Sequence, residues 1–333
     1  MSAKADDYYY NQLNKEQKKV YYAMKEGLLK MQDSFPVLKL SNKELSDIYF
    51  MIRMDCPEIF YSVKFSYRYY PDSTMVEFVP EYLFTKDKIR EHRQAMLSRV
   101  KKLARQAEKL DEKGRELFIH DFIVNHVKYD KLKKEYSHEI IGALGNGVAV
   151  CEGIAKAVKL LCDELGIWCI VALSEANPEK GIKYRHAWNV VRIDGTYYHL
   201  DATFDNTLSK DDTVRYDYVN LADKQIFRDH EPVIWKVPAC TDNDHFYYRE
   251  KKVSWTTVAI NVSKLMRTAT KARISVNVMR HPSFRISLGR ETSKSPRPGP
   301  VGKNKCVRVR SEPPAFRHSV FRPAIAGIDP RIA

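Results

Sequence analysis

The dipeptide Asp194-Gly195 lies between two runs that each read as a β-strand, residues 185–193 and 196–203. A two-residue loop of this composition is what a type I′ hairpin prefers. With Ile193 opposite Thr196, Trp188 faces Asp201 and His186 faces Thr203. Cross-strand partners point to one side of a hairpin, as do residues two apart along a strand. His186, Trp188, Asp201 and Thr203 are therefore expected on one face, with His199 on the same side. His186 and Asp201 become diagonal neighbours about 7 Å apart at the backbone, and a slip of one residue would send them to opposite faces. The register predicts an imidazole oriented by a carboxylate.

A second stretch, Gly145-Asn146-Gly147-Val148-Ala149-Val150-Cys151-Glu152-Gly153, supplies a nucleophile. Glycine and asparagine tolerate positive φ, so residues 145–147 allow a sharp turn. A helix is expected to begin at Cys151, because Ile154, Val158, Leu161 and Leu165 fall on one helical face, and Gly166 ends it. A thiol at a helix N-terminus meets unpaired N–H groups and the positive end of the helix dipole, which favour the thiolate. Gly153 costs propensity in the first turn, which points either to a backbone or substrate passing close by or to tight packing alone. If this helix packs over the hairpin face that carries His186, a Cys-His-Asp triad results.

The Gly147-x-x-x-Cys151-x-Gly153, His186-Ala187-Trp188-Asn189 and Asp201-Ala202-Thr203-Phe204-Asp205 segments, in this order, resemble the transglutaminase-like cysteine hydrolase superfamily. The likeness is greatest to its bacterial members related to kyphoscoliosis peptidase and the yeast cytokinesis protein. It is strong over residues 112–205 and looser at Tyr8-Tyr9-Tyr10-Asn11-Gln12-Leu13 and Pro57-Glu58-Ile59-Phe60. The resemblance implies an α+β fold of papain-like type, with the nucleophile helix packed on an antiparallel sheet. It makes Cys151 the nucleophile, His186 the general base and acid, and Asp201 the residue that orients His186. His199 is the rival to His186, set aside chiefly by the His-Ala-Trp-Asn match. Trp188, Gly153 and Thr203 are expected beside substrate or behind the catalytic groups, Trp188 either shielding the His-thiolate pair from water or serving only as core. Asp205 suits a turn or cap better than the orienting role, and His138 is expected to be structural or solvated.

The implied activity is that of a cysteine hydrolase of the peptidase type acting on peptide or protein amide bonds, with no cofactor and no metal. Amine transfer to a protein glutamine uses the same three residues and remains open, as does a non-catalytic scaffold with this fold. The paired C-x-x-C motifs of peptide N-glycanase-like deglycosylases are absent.

The chain has 333 residues, long enough to bury a full core without metal or disulfide staples. Cysteines 56, 151, 162, 169, 240 and 306 show neither zinc spacing nor a compact disulfide pattern, so most are expected to be free thiols, with Cys162 and Cys169 in the core. No apolar run approaches the length of a membrane span, and the polar opening lacks a signal-peptide pattern; the protein is expected to be cytoplasmic, or secreted with a leader removed. The net charge of +14 is unevenly spread: residues 255–333 hold 16 Lys plus Arg against 3 acidic residues, a surplus of 13. The preceding part is nearly neutral, which argues against reading it as a nucleic-acid binder.

Three parts are expected: an N-terminal α+β region (1–85), a catalytic domain (86–254) and a basic Arg/Pro/Ser-rich tail (255–333). In the first, residues 11–31 form an amphipathic helix, and Ser41-Asn42-Lys43-Glu44 caps a second helix. Residues 60–70 and 74–84 follow as strands, their tyrosines forming either a peptide-binding surface or the cover of a small α+β layer. Residues 86–110 and 117–127 read as helices with a break near Gly114. All 20 tyrosines precede Trp255, and arginine overtakes lysine after it. The tail is expected to be disordered, and is either an arm for an anionic surface or nucleic acid, or a functionless segment such as translation in a shifted reading frame.

Overall fold

The computed structural model describes Ala5, residues 7–209 and residues 213–251, which fall within one compact unit. The basic segment from Trp255 onward lies outside the described residues. The architecture is α+β, with helices packed against antiparallel sheets.

Helix α1 (Lys15–Leu29) opens with a capping box in which Asn14 accepts from the Gln17 N–H and Gln17 returns a bond to the Asn14 backbone. It buries Val20, Tyr21, Met24 and Leu28, the inward stripe of an amphipathic helix. Strand β1 (Phe35–Leu38), not anticipated from the sequence, leads to α2 (Asn42–Asp55), which starts at the expected Ser41/Glu44 box. Strands β2 (Ser62–Tyr69) and β3 (Met75–Tyr82) pair antiparallel, and β1 adds to the free side of β3 to give the order β1-β3-β2. The tyrosines divide between core and surface: Tyr9, Tyr21, Tyr49 and Tyr61 are buried, whereas Tyr22, Tyr69 and Tyr70 are exposed.

Helix α3 (Lys86–Ala107) turns Ile89, Met96, Val100, Ala104 and Ala107 inward. Helix α4 (Glu112–His126) begins earlier than the sequence suggested. Asp111 caps it by accepting from the Gly114 N–H at 2.7 Å, so Gly114 sits inside the first turn and the break lies before it. Strands β4 (Lys128–Tyr129) and β5 (Val148–Ala149) form a short parallel pair. Between them, residues 141–146 make one wide helical turn that Gly147 ends at φ 64°.

Helix α5 (Cys151–Leu165) is the centre of the unit and is buried on nearly every side. Its bounds match expectation, with Gly166 closing it at φ 76°. Behind it lies a four-stranded antiparallel sheet of order β6-β7-β8-β9, made of β6 (Trp168–Ser174), β7 (His186–Ile193), β8 (Thr196–Leu200) and β9 (Val219–Leu221). The hairpin register is the expected one from Ile193↔Thr196 to Asn189↔Leu200, and Asp194 and Gly195 both have positive φ. Two expectations need correction. Strand β8 stops at Leu200, because the Asp201 side chain turns back to accept from the Thr203 and Phe204 N–H groups and caps α6 (Ala202–Leu208). Helix α5 packs on the sheet face opposite Trp188: Asn189 donates to the Ala155 carbonyl at 2.9 Å, and Val171, Ala187, Val191 and Leu200 share its core. Trp188, Val190, Trp168 and Ile170 cluster on the other side.

The core is continuous from Tyr9 to Val219. The N-terminal segment is sewn to it by Asp55, which accepts from the Tyr9 and Tyr10 N–H groups and the Tyr21 hydroxyl, and by the Tyr9 hydroxyl, which donates to the Val171 carbonyl at 2.6 Å. Segment 137–139 crosses the first turn of α5 so closely that a Cβ on Gly153 would collide with the Ser137 carbonyl and lie 3.1 Å from that of Glu139. Backbone, rather than substrate, explains that glycine. Gly153→Ala is accordingly expected to destabilise the fold by about 1–3 kcal/mol through overpacking against immobile main chain. A urea midpoint unchanged from the wild type would contradict the close approach.

Candidate active site

Cys151 is the first residue of α5. Val150 before it is extended and provides no side-chain cap, so the first-turn N–H groups are not taken by a capping side chain. The chain reaches this point along a braced path, because the Val150 N–H donates to the Ser137 carbonyl and Ser137 Oγ donates to Asp130 at 2.5 Å. Cys151 is buried to all but 5% of its surface. Among the described residues all five cysteines are free thiols.

His186 opens β7, where the strand end lets its ring reach round toward α5 even though its side chain belongs to the Trp188 face. Its Nε2 lies 2.6 Å from Asp201 Oδ2. The Cys151 thiol lies near enough to the ring to influence its protonation, and Nδ1 is buried with no hydrogen-bond partner of its own. Burial alone would lower the His186 pKa; the charge and hydrogen bond of Asp201, with a smaller contribution from Cys151, reverse this and raise it to about 9. Burial likewise opposes ionisation of Asp201, but His186 and His230 hold its carboxyl well below the usual carboxylate range. The indole of Trp188 stacks on the His186 ring at 5.8 Å and 17°. Thr203 contributes its backbone N–H to Asp201 Oδ1 at 2.8 Å.

The structure also brings in a residue that pattern reasoning passed over. His230 Nε2 lies 2.8 Å from the same oxygen of Asp201, and its Nδ1 lies 2.6 Å from Asp229 Oδ1. No periodicity marks this histidine, which follows the four-residue helix α7 (Asp223–Ile226). His199 is occupied elsewhere. Trp188 Nε1, a donor only, points at His199 Nδ1 at 3.0 Å, so the ring proton sits on Nε2 and goes to Asp223 Oδ1 at 2.9 Å. Asp205 is also distant from His186, accepting from the Asp217 and Tyr218 N–H groups and facing His120 Nε2 at 3.0 Å.

Behind Cys151 lies a buried square of charge. Glu152, next to Cys151, meets Arg53 at 2.9 Å and Lys156 at 2.7 Å, and Glu139 meets the same two cations at 2.5 and 2.9 Å. His138 touches its rim through Glu152 at 3.3 Å. Burial penalises the Glu152 charge, but Arg53 and Lys156 outweigh it and keep the carboxyl well below its ordinary value. With two cations and two anions the square is neutral, and it joins α2 to the first turn of α5.

Among the described residues, two sets of close-lying donors, His186/Asp201/His230 and His199/Asp223/Cys240, resemble metal ligands in composition. The first is drawn together at 2.6 and 2.8 Å, shorter than the roughly 3.3 Å separating ligand atoms on a tetrahedral zinc with bonds of about 2.0–2.1 Å. In the second, Trp188 already occupies His199 Nδ1, so a metal at Nε2 would require an imidazolate. Neither geometry fits a metal centre.

Residues 101–202 match the family model of the transglutaminase-like superfamily. This segment is a transglutaminase-like domain. No curated protein sequence matches the chain. Among solved structures, one called a TGase is 13% identical with a TM-score of 0.31, over 63% of this chain and 61% of its own. A candidate cysteine protease from Cytophaga hutchinsonii is 18% identical with a TM-score of 0.26, over 42% and 62%. A candidate protease from Parabacteroides distasonis is 12% identical with a TM-score of 0.24, over 42% and 36%. The chain therefore spans about three fifths of the first two structures. The matched segment of the transglutaminase-like domain contains Cys151, His186 and Asp201, whereas His230 and Arg53 lie outside it.

Arg53→Met leaves two buried carboxylates facing one lysine and is expected to cost about 3–5 kcal/mol in urea denaturation; a loss below about 1 kcal/mol would show that the square is not a structural unit. For His186, a folded pKa raised above its ordinary 6.5 stabilises the fold fully below pH 6.5, and that contribution disappears as pH rises through about 9. The stability gap between wild type and His186→Asn should therefore narrow from pH 6 to pH 9.5, and a constant gap would refute the raised value.

Proposed function

We propose that residues 86–254 act as a cysteine hydrolase on amide bonds of peptides or proteins, with Cys151 as nucleophile, His186 as base and acid, and Asp201 as the group that orients His186. The observation that supports this most directly is the 2.6 Å contact of His186 Nε2 with Asp201, which leaves the buried Nδ1 unpartnered on a ring that feels the Cys151 thiol at the start of a helix. In this reading the Cys151 sulfur, having given its proton to His186, attacks the substrate carbonyl carbon. The N–H groups opening α5 receive the oxyanion. His186 then protonates the departing amine, and the acyl group stays on sulfur as a thioester. Water, deprotonated by His186, releases the acid and regenerates the thiol. Trp188, lying over the ring, limits water access to the imidazolium and strengthens its interaction with the thiolate. The superfamily match equally supports an amine in place of water at the second step, which would make the product a new amide.

Iodoacetamide at neutral pH should modify Cys151 well ahead of Cys56, a buried thiol whose pKa burial pushes up to about 12. His186→Ala should abolish that preference. Turnover of a generic protein substrate should decline as pH rises through about 9, where His186 loses the proton it gives to the leaving amine. A primary amine added to the same assay separates cleavage from transfer by mass spectrometry. Equal labelling of Cys151 and Cys56 would sink the enzymatic reading and leave a non-catalytic scaffold.

A further inference from the structure

Asp201 Oδ2 serves two imidazoles. His186 approaches it at 2.6 Å and His230 at 2.8 Å, with the rings 5.1 Å apart at an angle of 63°. His230 differs from His186 in having a carboxylate on both nitrogens, Asp201 on Nε2 and Asp229 on Nδ1. An ionised carboxylate only accepts, so an imidazole bonded to two of them must donate from both nitrogens. Asp229 is kept in place from behind by the Tyr218 hydroxyl, which donates to its other oxygen at 2.5 Å. Phe204 and Trp188 wall the His230 ring at 4.5 and 5.1 Å and exclude water from it.

We propose that His230 is a positioning residue, a protonated ring clamped between Asp201 and Asp229 that fixes the shared oxygen against His186 and partly neutralises its charge.

This inference rests on the hydrolase reading only for its consequence in catalysis, not for the state of the His230 ring. Each charged or titratable group facing that ring has a part. Asp201 and Asp229 favour its protonated form, and the Tyr218 hydroxyl steadies Asp229. His186, its ring 5.1 Å away, repels it while itself protonated, and His199 feels its charge from the other side. Burial would push the His230 pKa down, but the hydrogen bonds to Asp201 and Asp229 raise it to about 9. The consequence falls on His186. An aspartate serving one histidine alone would hold the His186 proton more strongly than an aspartate whose charge is divided, and a nearby cation weakens that hold again. His230 thus limits how far Asp201 can strengthen the general base, keeping the His186 proton transferable to a leaving amine.

Two measurements on the full chain test this. The first is the pH profile of Cys151 alkylation by iodoacetate, whose carboxylate is attracted by the His186 imidazolium, so that the alkaline limb reports loss of that proton. His230→Gln retains a donor toward Asp201 but removes the charge, and should move the alkaline limb up by about one pH unit. His230→Lys, which restores a cation, should bring it back toward the wild-type position. A merely structural histidine would lower the amplitude in both variants and leave the limb unmoved, which overturns the proposal. The second needs no variant and no reactivity at Cys151. In nitrogen-15 histidine spectra of the wild type at pH 8, the ring in contact with Phe204 and Tyr218 should carry protons on both nitrogens. A neutral His230 at that pH overturns the clamp whether or not the chain is a hydrolase, whereas a protonated His230 with an inert Cys151 would leave the clamp standing and count against the hydrolase reading alone.

Discussion

The structure turns on one buried carboxylate. Asp201 accepts from two backbone N–H groups on Oδ1 and faces two imidazoles on Oδ2, so its burial is matched by four hydrogen-bonding partners. An unpaired buried carboxylate would be protonated or would destabilise the fold by several kcal/mol, and these partners keep it ionised instead. The same contacts carry out three structural tasks. They end β8, start α6, and bring the loop after α7 against the start of β7.

That arrangement explains why the candidate site forms at an end of the sheet rather than on a face. One face of β6, β7 and β8 must be apolar to receive α5, and the other is filled by Trp168, Ile170, Trp188 and Val190. Only where the strands finish are backbone direction and side-chain reach free enough for an imidazole from one side of the sheet to approach a thiol from a helix on the other. His186, as first residue of β7, and Cys151, as first residue of α5, both occupy such terminal positions.

A second buried electrostatic unit supports the candidate nucleophile from behind. A lone Glu152 beside Cys151 would place negative charge where the proposed chemistry develops it on sulfur, and Arg53 and Lys156 balance that charge. Because Arg53 comes from α2, the N-terminal elements contribute to the setting of the candidate nucleophile as well as to the common core. Residues far from the superfamily match are in this way coupled to its first helical turn.

Much of the local structure is legible in the chain. The Asp194-Gly195 loop dictates the hairpin register, because type I′ geometry and period-two alternation leave little freedom. Spacing of apolar residues and Gly166 set the bounds of α5, and the Ser41/Glu44 box sets the start of α2, since caps act within one turn of backbone. The end of β8 is not legible in the chain, because a strand and a side-chain-capped turn compete for Asp201, and the capping bonds prevail only once the helix has somewhere to pack. Tertiary structure alone chose which face of the sheet α5 covers, which carboxylates meet Arg53 and Lys156, and that His230 joins Asp201. Those choices depend on contacts between residues tens of positions apart, whose energies come from shared burial and so leave no periodic trace in the sequence.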